Sequence, residues 1–450
     1  MKNEACCLLV SANRVTSPYP VYPLGAASLL SSLQNQGHKA RHFDFLADGG
    51  LEGLQELLRG EQFDLVGLSI RNLDTVDSAD SRDYLSDIVE TMQLIRRESA
   101  APVVVGGPAF SIQPEPLMDL LGADYGVVGE GEEILGNLMD SIAENDPPDS
   151  QIFISKPLEG VWSPSELSAS SVAYYLRYGG MLNLQTKRGC PHGWSYCSYP
   201  TIEGRRIRYR DPLEVAEEMI RLRDRFGARY VFFTDSVFND GQGHFLEVAE
   251  ALIRKQVELP WCAFFRPTGL SRGDLRLLKQ AGMAAMELGT DAACDTTLSG
   301  LNKRFSFIEV EALQKNIIEE KIPCAHFVMF GGPGETRETI VEGLANLNRL
   351  EACVVFAFIG IRILPNTEIQ TRAIAEGIIE ADDPLLKPSF YYSPHIERQE
   401  IEDAILNSFK GRMDRIYPCH QSDQRIATLH QMGYVGPLWD FILKKNSRNR

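Results

Sequence analysis

Short apolar runs separated by stretches of helical period fill the first 145 residues. The runs "ACCLLVSA", "KARHFDF", "FDLVGLSI", "APVVVGG" and "ADYGVVG" have strand length, while "PLGAASLLSSLQNQG", "SDIVETMQLIRR" and "EEILGNLMDSIAE" repeat apolar positions every three to four residues. Strands that alternate with helices in this way predict a doubly wound, Rossmann-like parallel sheet. Such sheets bind ligands beyond the carboxyl ends of their strands. Three of those ends stand out: "SIRNLD" at 69–74, "GGPAFS" at 106–111 and "GEGEE" at 129–133. Each one alone reads equally well as a turn; three on one edge of one sheet, with glycines that let backbone approach closely, point to a ligand.

The period is lost between 146 and 180, where "NDPPDSQIFISKPLEGVWSPSELSAS" is rich in Pro and Ser, and this segment is read as a linker. Alternation resumes over 181–385 with six strand runs, "GGMLNLQTKRG", "ARYVFFTDS", "WCAFFRP", "AAMELGTD", "CAHFVMFGGPGE" and "VFAFIGIRILP". Six strand–helix units fall short of the eight that close a full barrel, so a partial (β/α)6 barrel is expected, with its sites at the strand C-termini. Residues 386–450 read as mostly helical; Phe390, Tyr391, Tyr392 and Trp439 there either cover the barrel mouth or pack as core.

A formal charge of -16, from 45 Lys and Arg against 61 Asp and Glu, disfavours nucleic acid or an anionic membrane as the main partner. Two short basic runs, "KRGC" and "EGRRIRYR", are exceptions. No apolar run approaches the ~20 residues of a membrane span, and the first residues lack a secretory leader's apolar core, so a cytoplasmic location is expected. Nine cysteines then argue for thiols, metal ligation or packing over disulfides. Cys6, Cys7, Cys262, Cys324 and Cys353 sit in apolar runs and are read as core.

The stretch "TKRGCPHGWSYCSYP" sets Cys190 and Cys197 either side of His192, Trp194 and Tyr196. Three thiolates at close spacing hold an iron–sulfur cluster and leave one iron open, but two ligands alone are a weak motif. The loop nonetheless resembles that of the cobalamin-binding branch of the radical SAM superfamily, which reads C-x3-C-x2-C after the first barrel strand. Cys190 and Cys197 fall on the first and third positions, and Trp194 on the second. The resemblance extends to "FFTDSVFND", "FFRPTGL", "MELGTD", "FVMFGGPGET" and "IRILPNTE" downstream, and to "GLSIRNLD", "GGPAFSIQPE" and "GADYGVVGEGEE" upstream.

It implies a cobalamin- and S-adenosylmethionine-dependent enzyme that performs methyl transfer, rearrangement or cyclisation on a small biosynthetic substrate, with a [4Fe-4S] cluster in doubt and an external electron donor needed if one is present. Cys190 and Cys197 would ligate iron. Tyr196 would flank adenine, Asp235 and Ser236 of the "TDS" run would meet the methionine amino group, and Arg266 its carboxylate. Glu287 and Asp291 would take a ribose hydroxyl, and Gly331, Gly332 and Gly334 would let backbone pass the adenine. On the cobalamin side the resemblance implies Ser69, Arg71, Asn72, Gly106, Gly107, Phe110, Ser111, Gly129 and Glu130. A D-x-H-x-x-G string that would supply cobalt's lower ligand does not occur. The plainer readings are ion pairs for Glu287 and Arg266 and a turn position for His192.

Trp194 carries only an N–H donor and cannot ligate iron. Three outcomes follow: a third ligand is recruited from His192 or from Cys262, Cys294 or Cys324; the cluster is absent and cobalamin works by non-radical chemistry; or the chain is a non-catalytic protein that binds cobalamin or a metabolite.

Overall fold

A computed structural model describes residues 5–159 and 167–447. The first five strands form where the apolar runs predict them: β1 (Cys6–Ser11), β2 (Lys39–Asp44), β3 (Leu65–Ser69), β4 (Val103–Gly106) and β5 (Tyr125–Val128). A sixth, β6 (Ile152–Ile154), lies inside the segment read as a linker and pairs in parallel with β5. The sheet runs in the order β2-β1-β3-β4-β5-β6. Three residues at a sheet edge give too little periodicity to stand out against flanking Pro and Ser, which hides β6 from sequence reasoning. Residues 160–166 of the same segment lie outside the described residues.

Both faces of this sheet are covered. Leu33, Leu135, Leu138 and Met139, on helices Leu24–Asn35 and Glu132–Ala143, close one face over Cys7, Leu9 and Val104. Leu54, Leu58, Ile88, Ile95 and Leu117 close the other over Leu8, Val66 and Val105. Burial on both sides is what continuous apolar strands require.

The second domain starts at β7 (Leu182–Leu184), followed by a small antiparallel hairpin of β8 (Lys187–Arg188) and β9 (Arg208–Tyr209). The remaining parallel strands are β10 (Val231–Phe233), β11 (Trp261–Phe265), β12 (Met286–Asp291), β13 (Cys324–Phe330) and β14 (Val354–Ile359). Beyond them β15 (Ile361–Arg362) pairs with β16 (Phe390–Tyr391), and β17 (Arg415–Ile416) adds to β14. The order β17-β14-β13-β12-β11-β10-β7 is an open, partial barrel with one strand more than the six expected. Along β10, residues alternate between helix-facing Val231 and Phe233 and inward-facing Phe232, as the period of two demands.

The C-terminal segment closes the barrel's lower end. Trp439, Met181, Tyr230, Cys262, Ala285, Ala325 and Val354 form one buried cluster at the strand starts. Trp439 is thus a floor residue, remote from the mouth, and Tyr391 is buried core.

Candidate functional site

The carboxyl edge of the first sheet and the opening edge of the barrel enclose a cavity of about 340 Å3. From the first domain it is lined by Ser69, Arg71, Gly106, Gly107, Ser111, Gly129 and Glu130. Asn183, Gln185, Arg188, Thr234, Tyr199, Ile202 and Glu203 line it from the second. Seven of the nine residues proposed for cobalamin therefore share one wall. The other two do not: Asn72 borders a small neighbouring pocket, and Phe110 is fully buried. Phe110 packs on Gly126, where an added Cβ would sit 2.3 Å from its ring, so its place after the glycines serves packing.

Backbone geometry explains the glycines. Gly107 has φ +97°, and a Cβ there would stand 2.6 Å from the Ile70 carbonyl oxygen, so only glycine lets the turn after β4 lie against the one after β3. Gly129 has φ +85°, with Ser155 equally close. Several polar groups by the cavity are unspent. Arg71 makes no hydrogen bond or ion pair with a described residue, and the buried Tyr22 hydroxyl has no partner among them either. Close by, Tyr175 donates to Asp44 at 3.1 Å, and burial lifts that carboxyl to about 6.

The cysteine loop adjoins this cavity, because Tyr199, Ile202 and Glu203 belong to the short helix that begins two residues after Cys197. Buried ion pairs fix its place. Arg188 meets Glu132 at 2.8 Å and Glu130 at 3.6 Å, and Arg208 meets Glu130 at 2.6 Å, joining the β8–β9 hairpin to the turn after β5. Lys187 pairs with Asp240 at 3.1 Å and Arg210 with Glu218 at 2.5 Å. The two basic runs thus spend Lys187, Arg188, Arg208 and Arg210 on internal carboxylates. Glu130, proposed for cobalamin, faces the cavity but is itself tied to Arg208 and to the Leu158 amide.

Inside the loop, Cys190 is buried and Cys197 half-buried, and both are free thiols. Burial raises the Cys197 thiol to about 11. Gly189 has φ +95°, and a Cβ there would lie 2.2 Å from the Arg206 carbonyl oxygen. The turn following the helix Asp295–Gly300 clamps the loop from above: Ser195 N–H donates to the Leu301 carbonyl at 3.1 Å, and Asn302 Nδ2 donates to the Gly193 carbonyl. Lys303 completes the clamp. Its Nζ lies 3.2 Å from the centroid of the Trp194 ring, donates to the Tyr196 hydroxyl at 3.2 Å and pairs with Asp291. His192 stacks on Trp194 with centroids 5.2 Å apart and rings 3° from parallel. Its basicity is lowered by burial and by Arg266, Lys303 and Arg304.

The other residues proposed for S-adenosylmethionine divide. Tyr196, Asp291 and Arg266 gather around this clamp; Arg266 donates to the Arg304 carbonyl at 3.2 Å and lies over Phe305. Ser236 is adjacent, donating to the Gly189 carbonyl at 3.3 Å. Asp235 is consumed structurally: it accepts from Thr186 and Lys187 amides at 2.7 and 3.3 Å, because a buried carboxylate must be met by donors. Glu287 stands at the start of β12, four residues below Asp291, on the barrel floor, where Trp439 Nε1 donates to it at 3.0 Å. Burial lifts its carboxyl to about 7. Gly331 approaches Tyr392 and Ile401, Gly332 approaches Ile361, and Gly334 approaches Thr296, so protein atoms already meet all three.

No set of three His, Cys, Asp or Glu residues placed to hold a metal occurs among the described residues. Cys262 lies in the floor cluster, Cys324 donates to Gln314 at 3.3 Å, and Cys294 contacts Thr297 at 3.1 Å, so each sits in its own local setting. Sequence reasoning missed Lys303, Tyr22 and the Arg188–Glu132 pair. Only the oddity of Trp194 signalled the first; Arg188 and Glu132 lie in the "KRGC" and "GEGEE" runs but nothing in the pattern paired them, and nothing signalled Tyr22.

The B12 binding domain family model matches residues 10–139, and the Radical SAM superfamily model matches 184–345. Tryptophan 2-C-methyltransferase of Streptomyces laurentii is 26% identical, covering 81% of this chain and 74% of its own. Hopanoid C-3 methylase of Methylococcus capsulatus is 27% identical over 63% of this chain and 56% of its own. The structure of the radical S-adenosylmethionine methyltransferase TsrM from Kitasatospora setae, with cobalamin and a [4Fe-4S] cluster bound, superposes with a TM-score of 0.84 at 23% identity, covering 99% of this chain and 100% of that one.

Proposed function

The chain belongs to the cobalamin-binding branch of the radical SAM superfamily, and we propose that it uses cobalamin and S-adenosylmethionine to transfer a methyl group to a small molecule. The observation that carries the reading is the cavity, whose walls come from the glycine-bearing edge of the B12-binding domain and from the barrel's first strands. When bound there, cobalamin supplies a cobalt centre able to accept and donate methyl groups.

The residues present fit that group. Gly107 and Gly129 bring backbone to the wall, Arg71 and Tyr22 offer unspent polar groups, and Leu9, Leu68, Val105 and Val127 give an apolar lining. The buried Arg188–Glu132 pair holds barrel and sheet edge together, so a methyl donor at the barrel mouth and the cavity keep a fixed relation. Arg266 at the mouth is available for a carboxylate, and Ser236 for a neighbouring polar group.

The residues around Cys190 and Cys197 do not fit a three-thiolate cluster. An indole stands at the middle position with an ammonium against its face. This favours, as a second and narrower reading, methyl transfer by a two-electron route; an external electron donor to a cluster then has no role. In keeping with the family, the partner is a small molecule, and no described helix is long and apolar enough to cross a membrane. The test is anaerobic incubation with a reductant, S-adenosylmethionine and cobalamin. Release of S-adenosylhomocysteine that depends on added cobalamin is expected. Failure to retain any corrinoid, with no turnover, overturns the reading in favour of a role outside catalysis.

A further inference from the structure

The Lys303 side chain is wholly buried, yet it is placed at the cysteine loop and not on the surface where lysines ordinarily lie. Its surroundings account for every feature an ammonium requires. Asp291 supplies the opposite charge, the Tyr196 hydroxyl accepts at 3.2 Å, and the Trp194 indole presents its negative face at 3.2 Å. All three partners lie on or beside the strand ends and loop where a cluster-bearing relative would place iron. Cysteine at 194 would remove the ring beneath the ammonium; an indole there both removes a ligand and creates a cation's seat. His192 stacks on the same ring, with centroids 5.2 Å apart.

We propose that in this chain the Lys303 ammonium, seated on Trp194 and held by Asp291 and Tyr196, takes the place of an iron–sulfur cluster and closes the Cys190–Cys197 loop without metal. The clamp is structural in kind: it ties the loop to the turn after Gly300, alongside the Ser195–Leu301 and Asn302–Gly193 bonds. Because Tyr199 and Glu203 follow directly on the loop and line the cavity, the clamp also sets that wall. The inference rests on the family reading given above, and its failure is separable from that reading's failure.

The test is made on full-length protein, anaerobically reconstituted with iron and sulfide in the presence of cobalamin. Iron, sulfide and cobalt are measured on one sample, and the alkylation rate of Cys190 and Cys197 is followed peptide by peptide. The parent is expected to hold essentially no iron, to label slowly at both thiols and to retain cobalamin. Lys303→Met is expected to raise labelling at Cys197 by at least about tenfold, the opening that loss of about 1.4 kcal/mol of clamp stability allows, and Trp194→Cys is expected to gain iron. Should Lys303→Met lose its fold, judged by loss of cobalamin, Trp194→Leu is the second variant and must show the same fast labelling. A parent that assembles a stoichiometric cluster, or clamp variants that label as slowly as the parent, overturn the proposal. A parent without cobalamin but with the expected labelling pattern counts against the cofactor assignment alone.

Discussion

The edge of the first sheet and the mouth of the barrel carry the same sequence signal, glycines and polar residues at the ends of parallel strands, yet they fold to opposite results. At the sheet edge the turns after the strands line a cavity in which Arg71 and the Tyr22 hydroxyl find no partner among the described residues. At the barrel mouth Asp291, Tyr196 and Trp194 converge on Lys303, Asp235 is saturated by Thr186 and Lys187, and the glycine loop at 331–334 is met by Tyr392 and Thr296. The contrast teaches that ligand room depends on whether polar side chains find partners within the chain. Arg71 meets no acceptor among the described residues, whereas a carboxylate, a hydroxyl and an indole surround the one ammonium of Lys303.

Breaking the joint between the two regions should have the largest effect. Arg188→Met leaves Glu132 buried without its partner and should cost about 3–5 kcal/mol, read as a fall in the denaturant midpoint together with loss of the cavity. Next comes the cradle itself. Gly107→Ala sets a Cβ 2.6 Å from the Ile70 carbonyl at φ +97° and should cost about 3 kcal/mol, measured by thermal unfolding, with corrinoid binding lost in parallel.

A third prediction probes the floor below the mouth. Burial raises Glu287 from 4.5 to about 7, so between those values the folded chain holds a proton that the unfolded chain releases. Stability contributed by the protonated acid is therefore present below about pH 4.5 and lost as pH rises through 7. At neutral pH the ionised form costs about 3 kcal/mol by the usual conversion. Glu287→Gln, which can still accept from Trp439, should flatten that part of the pH–stability curve and stabilise the fold at pH 7 relative to the parent. Glu335, also lifted to about 7 by burial, remains in both proteins as the background slope. The smallest effect sharpens the comparison without harming the fold: Arg71→Ala should leave the melting temperature within about 1 °C, since it breaks no described contact, and weaken corrinoid binding about tenfold, or about 1.4 kcal/mol.

The parallel strands and the layer architecture were legible because parallel strands buried on both faces must be apolar throughout, and that pattern is hard to mistake; the order of the strands in each sheet came only from the folded chain. The β8–β9 hairpin was not, since its basic residues owe their burial to Glu130, Glu132 and Asp240, which are distant in sequence. The glycines of the cavity wall were legible as turns at strand ends. Phe110 looked like their companion, but its ring answers to Gly126 on the neighbouring strand. Glu287 was misplaced by register: β12 begins at Met286, so the residue lies at the bottom of the strand and its partner, Trp439, is 152 residues away. Lys303 sits in a turn with no period, and only the folded chain brings it to Trp194.

The measurement that tests the central claim most directly is a spectrophotometric titration of the metal-free parent and of Arg71→Ala with hydroxocobalamin, with cobalt per chain determined after gel filtration. One cobalt per parent chain, and a binding curve shifted about tenfold in the variant, is the predicted result. A parent that leaves the column without cobalt, or binds it with an affinity that Arg71→Ala does not change, would contradict the assignment of this cavity.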